Sequence, residues 1–210
     1  MTNPPQADQR KPRPGTVTLA VWLQLLLAVG MAVSTITGFV YGADADQALV
    51  DELERQGTDV GELPEEYGVT EQTFEPAGAD LILPLVIVAG LVLLALFNLA
   101  GNRVTRILTW VFQPLVLICG GFVLALQVFL ANFMQMGFDA ADPPIDLDAQ
   151  ALVDAAMDAY PAWATWVDYA VFALATLGSL LVIILLAVPA SNAYFRKEEA
   201  PPDIPGAPPQ

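Results

Sequence analysis

The sequence contains no histidine, a single cysteine, Cys119, and only three serines. A Ser-His-Asp triad and a Cys-His pair both require histidine, so neither form of nucleophilic catalysis is available. There is no His and Cys cluster for zinc, and no GxxxxGK[ST] or GxGxxG loop that would hold phosphates. A lone cysteine can form no internal disulfide. These absences predict a protein that is not an enzyme and that uses no cofactor.

Basic charge is also scarce, because 8 Lys and Arg residues stand against 23 Asp and Glu residues, for a net charge of −15. A chain this acidic repels anionic polymers, so no nucleic-acid partner is expected. At the same time 55% of the residues are hydrophobic and only 15% are charged, with a mean hydropathy of +0.54. Soluble domains average about 25% charged residues. The composition therefore indicates a membrane protein, whose first partner is the lipid bilayer.

Four apolar stretches are long enough to cross a bilayer, whose hydrocarbon core takes roughly 20 apolar residues in a helix. They cover residues 17–40, 81–100, 107–132 and 166–190. The first stretch follows a basic tail as a secretory signal would, but its apolar run exceeds the roughly 7–15 residues of a signal, so we expect it to be retained. The predicted fold is an all-α, four-helix transmembrane bundle, forming a single membrane domain over residues 16–136 and 137–197.

Basic residues are segregated along the chain. Seven of the eight occur in three segments: Arg10, Lys11 and Arg13; Arg103 and Arg106; Arg196 and Lys197. The positive-inside rule makes these segments cytoplasmic. We therefore expect a multi-pass plasma-membrane protein with both termini in the cytoplasm. The two remaining loops, residues 42–80 and 137–165, then face outward and carry most of the acidic residues.

The tails and the outer loops have different compositions. Residues 1–15 and 198–210 are rich in proline and polar residues, which predicts disordered cytoplasmic tails. Each acidic outer loop contains an amphipathic pattern that predicts a short helix. We expect the first of these helices to begin at Asp44 or Asp46, with Gly57 as its stop, and the second to begin at Asp146 or Asp148.

Short sequence matches indicate an internal repeat. "QALVD" occurs at residues 47–51 and again at residues 150–154, in each case after an outward-running helix. "VTLAVWLQ" (17–24) also resembles "VTRILTWVFQ" (104–113), with Val-Thr, Trp and Gln in the same order. The pattern predicts two parallel helix–loop–helix halves related by an axis along the membrane normal.

The segments "RPGTVTLAVWL" (13–23) and "GNRVTRILTW" (101–110) carry a resemblance to a known group. They are similar to segments of uncharacterised small four-helix integral membrane proteins of actinobacteria, which also have Pro-rich cytoplasmic tails. The resemblance implies a membrane topology and no particular activity, because that group has no assigned activity.

The predicted helices contain no ionisable residue at mid-depth, which argues against ion-coupled transport. Five polar residues are candidates for the bundle interior: Gln24, Gln113, Gln127, Ser179 and Asp168. Our leading hypothesis is a structural or accessory subunit that binds a membrane-protein partner or self-associates through small-residue helix faces and its acidic outer loops. The alternatives are a passive channel or small-molecule transporter lined by Gln24, Gln113 and Gln127, and an outer-face sensor coupled to the cytoplasmic tails.

Overall fold

The computed structural model describes residues 13–58, 74, 78–141 and 145–196, and all regular secondary structure in these ranges is helical. The helices are α1 (Gly15–Arg55), α2 (Ala79–Leu99), α3 (Arg103–Ala140), α4 (Ala149–Asp158), α5 (Ala162–Ala173), α6 (Ser179–Ala187) and α7 (Pro189–Phe195). A π-helical turn, Leu174–Gly178, joins α5 to α6. The predicted disordered tails lie almost wholly outside the described residues, as does most of the first acidic loop.

Among the described residues, four helical segments are long and apolar enough to cross a membrane: Gly15–Arg55, Leu81–Leu99, Arg103–Phe122 and Ala162–Ala187. The prediction of an all-helical fold with four such segments is therefore confirmed for the part of the chain that the structure describes. Many large apolar side chains on these segments point away from the bundle, for example Leu83 and Ile118, which are 65% and 67% exposed. Such surfaces suit a hydrocarbon solvent, which favours apolar contact on the outside of the bundle.

The first acidic loop begins differently from our prediction. No separate helix starts at Asp44 or Asp46, because α1 continues without a break for 41 residues to Arg55. Residues 41–54 contain no proline and several alanines, the strongest helix former, so nothing interrupts the helix. Gly57 lies just past the C-terminal end of α1 with a φ of 89°, and there the Thr58 amide donates to the Leu53 carbonyl over 3.1 Å. This is the Schellman pattern, in which glycine takes the left-handed position.

Helix α3 is also longer than the predicted 107–132, because it spans Arg103–Ala140. It starts after a tight turn from α2, in which Gly101 has a φ of 73°. The Asn102 side chain then accepts a hydrogen bond from the Val104 amide over 2.9 Å, which satisfies one free donor of the first helical turn. Farther along the chain, Asp148 caps the N-terminus of α4, because its carboxylate accepts hydrogen bonds from the Gln150 and Ala151 amides.

The fourth span ends at Ala187 rather than at the predicted residue 190. Proline disfavours helical geometry in the residue before it, and Val188, with a ψ of 152°, is extended. Pro189 then starts the short helix α7, a position that proline tolerates because the amides of the first turn have no helical partner.

The end of α1, the end of α3 and α4 pack together into a unit that we call the cap (residues 45–56, 134–141 and 145–160). Its hydrophobic core contains eight buried residues: Ala45, Leu49, Leu53, Phe138, Leu147, Ala149, Leu152 and Ala156. A second buried cluster, which includes Val17, Val182 and Phe195, lies at the opposite end of the bundle. A third, around Leu27, Leu91 and Val116, lies between the two.

Candidate functional site

The membrane-spanning helices enclose a group of neutral polar side chains, which we call the polar cluster. Its members are at most 4% exposed and come from α1, α2, α3 and α6: Gln24, Asn98, Thr105, Thr109, Gln113 and Ser179. A polar group without a partner is costly in hydrocarbon, so the hydrogen bonds of these side chains decide what the cluster can do.

Gln113 joins three helices through its side-chain amide. Its Nε2 donates to Ser179 Oγ of α6 over 2.8 Å, and its Oε1 accepts from Gln24 Nε2 of α1 over 3.3 Å. Both sides of the amide are therefore used in contacts between helices.

Asn98 adds α2 to the polar cluster. Its Nδ2 donates to Thr109 Oγ1 over 2.9 Å and to Gln24 Oε1 over 3.4 Å, and the Thr109 hydroxyl donates in turn to the Thr105 carbonyl. Asn98 Oδ1 is buried with no hydrogen-bond partner among the described residues. The cluster thus runs through all four spans as one chain of hydrogen bonds.

The structure brings three of the five predicted interior residues together, namely Gln24, Gln113 and Ser179. Asp168 does not join them: it is exposed near the start of α5 and accepts a hydrogen bond from Ser34 Oγ over 2.7 Å. The expectation that Asp168 faces the interior is corrected accordingly, since a buried carboxylate without a cation is unfavourable. The side chain of Gln127 lies outside what the structure describes.

Sequence reasoning missed Asn98, Thr105 and Thr109. Asn98 stands just before the Gly101-Asn102 turn, so its position resembles that of a residue at a helix end rather than in a core. For the threonines a signal was present: Thr105, Thr109 and Gln113 follow one another at four-residue spacing, which places them on one face of α3.

Only amides and hydroxyls make up the polar cluster, and none of them changes charge near neutral pH. The cluster has no group that accepts or releases a proton in a transport cycle. Interhelical hydrogen bonds between such side chains hold membrane helices in one register. The arrangement is therefore suited to fixing how the four spans pack.

Glycines allow two further close approaches between helices. A Cβ atom on Gly30 of α1 would lie 2.7 Å from Val171 Cγ2 of α5, and one on Gly120 of α3 would lie 2.8 Å from Ala175 Cβ in the π-helical turn. Both distances are shorter than a normal carbon contact, so only glycine fits without a shift. A Cβ on Gly121 would meet nothing within 4 Å, which shows that this residue faces away from the other helices.

Polar contacts also tie the cap together. The Asp148 amide donates to Gln56 Oε1 over 2.7 Å, and Gln56 Nε2 donates back to the Asp148 carbonyl over 3.3 Å. Gln135 Oε1 of α3 accepts from the Ala149 amide over 3.1 Å. Burial raises the pKa of the Tyr160 phenol at the edge of the cap, and the nearby carboxylates of Asp46 and Asp168 raise it further.

At the opposite end of the bundle, a cavity of about 430 Å³ lies between the start of α3 and α7. Its walls include Arg103, Arg106 and Arg196, and no member of the polar cluster lines it. Comparison with known proteins found no matching family model, no matching curated protein and no matching solved structure.

Proposed function

We propose that this protein is a multi-pass membrane protein that acts by protein association, as a structural or accessory subunit. The main support for this proposal is the folded cap. Helix α1 runs unbroken from the first span into the cap, a length of roughly 60 Å at about 1.5 Å per residue. The cap has a hydrophobic core of its own, in which Leu53, Phe138 and Leu152 are at most 1% exposed. The protein therefore holds a folded surface at a set distance from its bundle.

The surface of the cap is acidic. Four exposed carboxylates of the cap lie on α1 and α4: Asp51, Glu54, Asp154 and Asp158. A surface that is already ordered loses little conformational entropy when it binds, which favours association. Complementary charge speeds encounter and excludes wrong partners, so we expect the partner surface to be basic.

The positive-inside rule supports an orientation with the cap outside the cell and both chain ends in the cytoplasm of a plasma membrane. A cysteine-labelling experiment tests this. In a Cys119→Ala background, because Cys119 is exposed, Glu65→Cys should react with an impermeant thiol reagent on whole cells and Arg103→Cys should not. The reverse pattern would show that the orientation is inverted.

Several contacts support the interpretation of the chain as two related halves. In the first "QALVD" copy Leu49 is buried while Gln47 and Asp51 are exposed, and in the second copy Leu152 is buried while Gln150 and Asp154 are exposed. Leu49 and Leu152 belong to the same hydrophobic core.

The two other matching segments end in Gln24 and Gln113, and the side chains of these two glutamines form a hydrogen bond with each other. Equivalent residues close to a two-fold axis contact one another, which is the pattern expected of a parallel repeat.

The channel alternative has less support. Gln24 and Gln113 bond to each other, to Asn98 and to Ser179, and the cavity described above has other residues in its walls. A liposome flux assay tests it directly: association predicts no added leak on reconstitution and no change with Gln113→Leu. A leak that Gln113→Leu abolishes would favour the channel.

Association is tested by quantitative co-purification in mild detergent at native expression. The test variant neutralises four cap carboxylates: Asp51→Asn, Glu54→Gln, Asp154→Asn and Asp158→Asn. A matched control neutralises four acids of the chain ends: Asp8→Asn, Glu198→Gln, Glu199→Gln and Asp203→Asn. We expect the cap variant to lose specific partners and the control to keep them.

The proposal fails if nothing co-purifies with the wild-type protein, or if both variants keep the same partners. The sensor alternative makes a different prediction for the same variants, namely that neutralising the cap changes what binds to the tails.

A further inference from the structure

The cavity at the end of the bundle opposite the cap has a strongly basic lining. Arg103 and Arg106 come from the first turns of α3, and Arg196 follows α7, which also contributes Asn192 and Phe195. Its volume of about 430 Å³ falls within the roughly 300–1,000 Å³ of small-molecule sites.

Helix α7, which forms one wall, is held in place on both sides. The Tyr194 hydroxyl donates to the Leu99 carbonyl at the end of α2 over 2.7 Å. The Ser191 hydroxyl donates to the Leu185 carbonyl over 2.6 Å, and the hydroxyls of Ser191 and Thr16 of α1 are 2.8 Å apart. The cavity is therefore built from elements that the rest of the bundle positions.

Arg106 is oriented by two aromatic rings. Its guanidinium carbon lies 4.7 Å from the ring centroid of Trp110 and 5.5 Å from that of Phe195. Cation–π contacts of this kind fix the plane of the guanidinium. Its Nε is buried with no hydrogen-bond partner among the described residues. A buried donor without an acceptor is unfavourable, and Arg106 is one of the residues that line the cavity.

The local charge points to an anion. Arg103 and Arg106 are three residues apart on α3, hence neighbours on one face, and like charges at this spacing repel each other. Both lie at the N-terminal end of the helix, where the helix dipole adds positive potential. Within the part of the chain that the structure describes, neither of them forms an ion pair. A bound anion would offset both the repulsion between the two guanidinium groups and the unfavourable potential of the helix dipole.

We propose that this cavity binds a phosphate group, with an anionic phospholipid headgroup as its source. Guanidinium groups match phosphate oxygens in a bidentate geometry, which makes phosphate the fitting class of anion. The neighbouring side chains on α3 favour the lipid source: Val104 and Ile107 are exposed and apolar, and Trp110 is 41% exposed. Tryptophan at the end of a membrane span prefers the headgroup level.

The test measures lipid binding to the detergent-purified full-length protein by native mass spectrometry. The probes are phosphatidylglycerol and phosphatidylcholine with identical acyl chains, with inorganic phosphate as a soluble competitor. The variants are Arg103→Gln, Arg106→Gln and the double variant. Arg13→Gln is the matched control, because Arg13 is exposed just before α1 and does not line the cavity.

We expect wild-type protein and Arg13→Gln to bind phosphatidylglycerol more tightly than phosphatidylcholine. Each cavity variant should weaken phosphatidylglycerol binding about tenfold, which corresponds to the loss of one charge-assisted hydrogen bond. Arg106→Lys keeps the charge but not the planar fork, and should also bind more weakly. Since Arg103 is exposed, Arg103→Gln keeps the proposal testable even if the Arg106 variants misfold.

Competition separates the two sources of phosphate. If inorganic phosphate does not displace phosphatidylglycerol, the lipid headgroup is the ligand. If inorganic phosphate binds in a way that depends on the two arginines and phosphatidylglycerol does not bind, the same site takes free phosphate and the lipid source is wrong. The proposal is overturned if the double variant binds phosphatidylglycerol within twofold of wild type, or if Arg13→Gln weakens binding as much as Arg103→Gln. This test is independent of the cap variants, so its failure would leave the association proposal standing.

Discussion

The hydrogen bond between Gln24 and Gln113 allows a quantitative test of the polar cluster. The perturbation is a double-mutant cycle that replaces each glutamine with leucine, which has a similar volume but no hydrogen-bonding groups. Gln113→Leu removes the bonds to Gln24 and Ser179, and Gln24→Leu removes the bonds to Gln113 and Asn98. Each of the two single variants therefore removes the Gln24–Gln113 bond.

The expected magnitude follows from that shared bond. An interhelical hydrogen bond in a membrane protein contributes about 0.6 kcal/mol on average, and up to about 1.7 kcal/mol. Each single variant loses two such bonds and should lower the free energy of unfolding by about 1–2 kcal/mol. Because the sum of the single effects counts the shared bond twice, the double variant should be destabilised by about 0.6 kcal/mol less than that sum.

The assay is reversible unfolding in mixed micelles with increasing sodium dodecyl sulfate, followed by fluorescence of the four tryptophans. Gln47→Leu is the matched control, because Gln47 is exposed in the cap, and it should change the free energy by no more than about 0.5 kcal/mol. A coupling energy below about 0.3 kcal/mol, the size of ordinary non-additivity, would contradict a stabilising bond between the two glutamines. The glutamines would then be buried side by side without holding the helices together.

Three further predictions concern the cap and the helix contacts. Leu152→Ala should speed hydrogen exchange throughout α4, because removing a fully buried leucine costs about 2–5 kcal/mol. Gly120→Leu should lower the free energy of unfolding by about 1–3 kcal/mol through overpacking against the π-helical turn, whereas Gly121→Leu should be nearly neutral. Stability should fall as pH rises above the ordinary tyrosine pKa of 10.0, because the raised pKa of Tyr160 makes the folded state keep a proton that the unfolded state releases. Tyr160→Phe should remove that part of the decrease.

Each of these predictions has its own check. Met157→Ala, on the exposed side of α4, should leave hydrogen exchange in α4 almost unchanged. If Met157→Ala and Leu152→Ala speed exchange equally, the assignment of Leu152 to the core of the cap is contradicted. Equal stabilities of the two glycine variants in detergent unfolding would contradict the close contact of α3. For the pH prediction, the free energy of unfolding is measured between about pH 9 and 12, the range in which tyrosine titrates. Identical pH profiles for wild-type protein and Tyr160→Phe would contradict the raised pKa of Tyr160.

The helix ends show where sequence reasoning succeeds and where it stops. Apolar length located the four spans, and the Gly57 stop was recognised because the left-handed conformation strongly favours glycine. The continuation of α1 past residue 40 was missed because apolar length marks a span and says little about where its helix ends. α3 was underestimated for the same reason, since it runs on beyond the apolar stretch into the cap.

The polar cluster was predictable only in part. Gln24, Gln113 and Ser179 are conspicuous in apolar helices, so composition alone made them candidates. The same reasoning selected Asp168, which is exposed near the start of α5. Asn98 was missed because its position resembles that of a residue at a helix end, and because one of its partners, Gln24, is 74 residues away in the chain.

A helical fold with four segments apolar enough to cross a membrane follows from the amino-acid sequence alone, because those properties depend on composition and length. Its scarce basic residues also determined the expected orientation. The packing of the helices, in contrast, shows which polar side chains meet, that the end of α1 and α4 share one hydrophobic core, and that Arg103, Arg106 and Arg196 line one cavity. These facts depend on the rotation of each helix about its axis and on contacts between residues far apart in the chain, and neither is encoded in a local pattern.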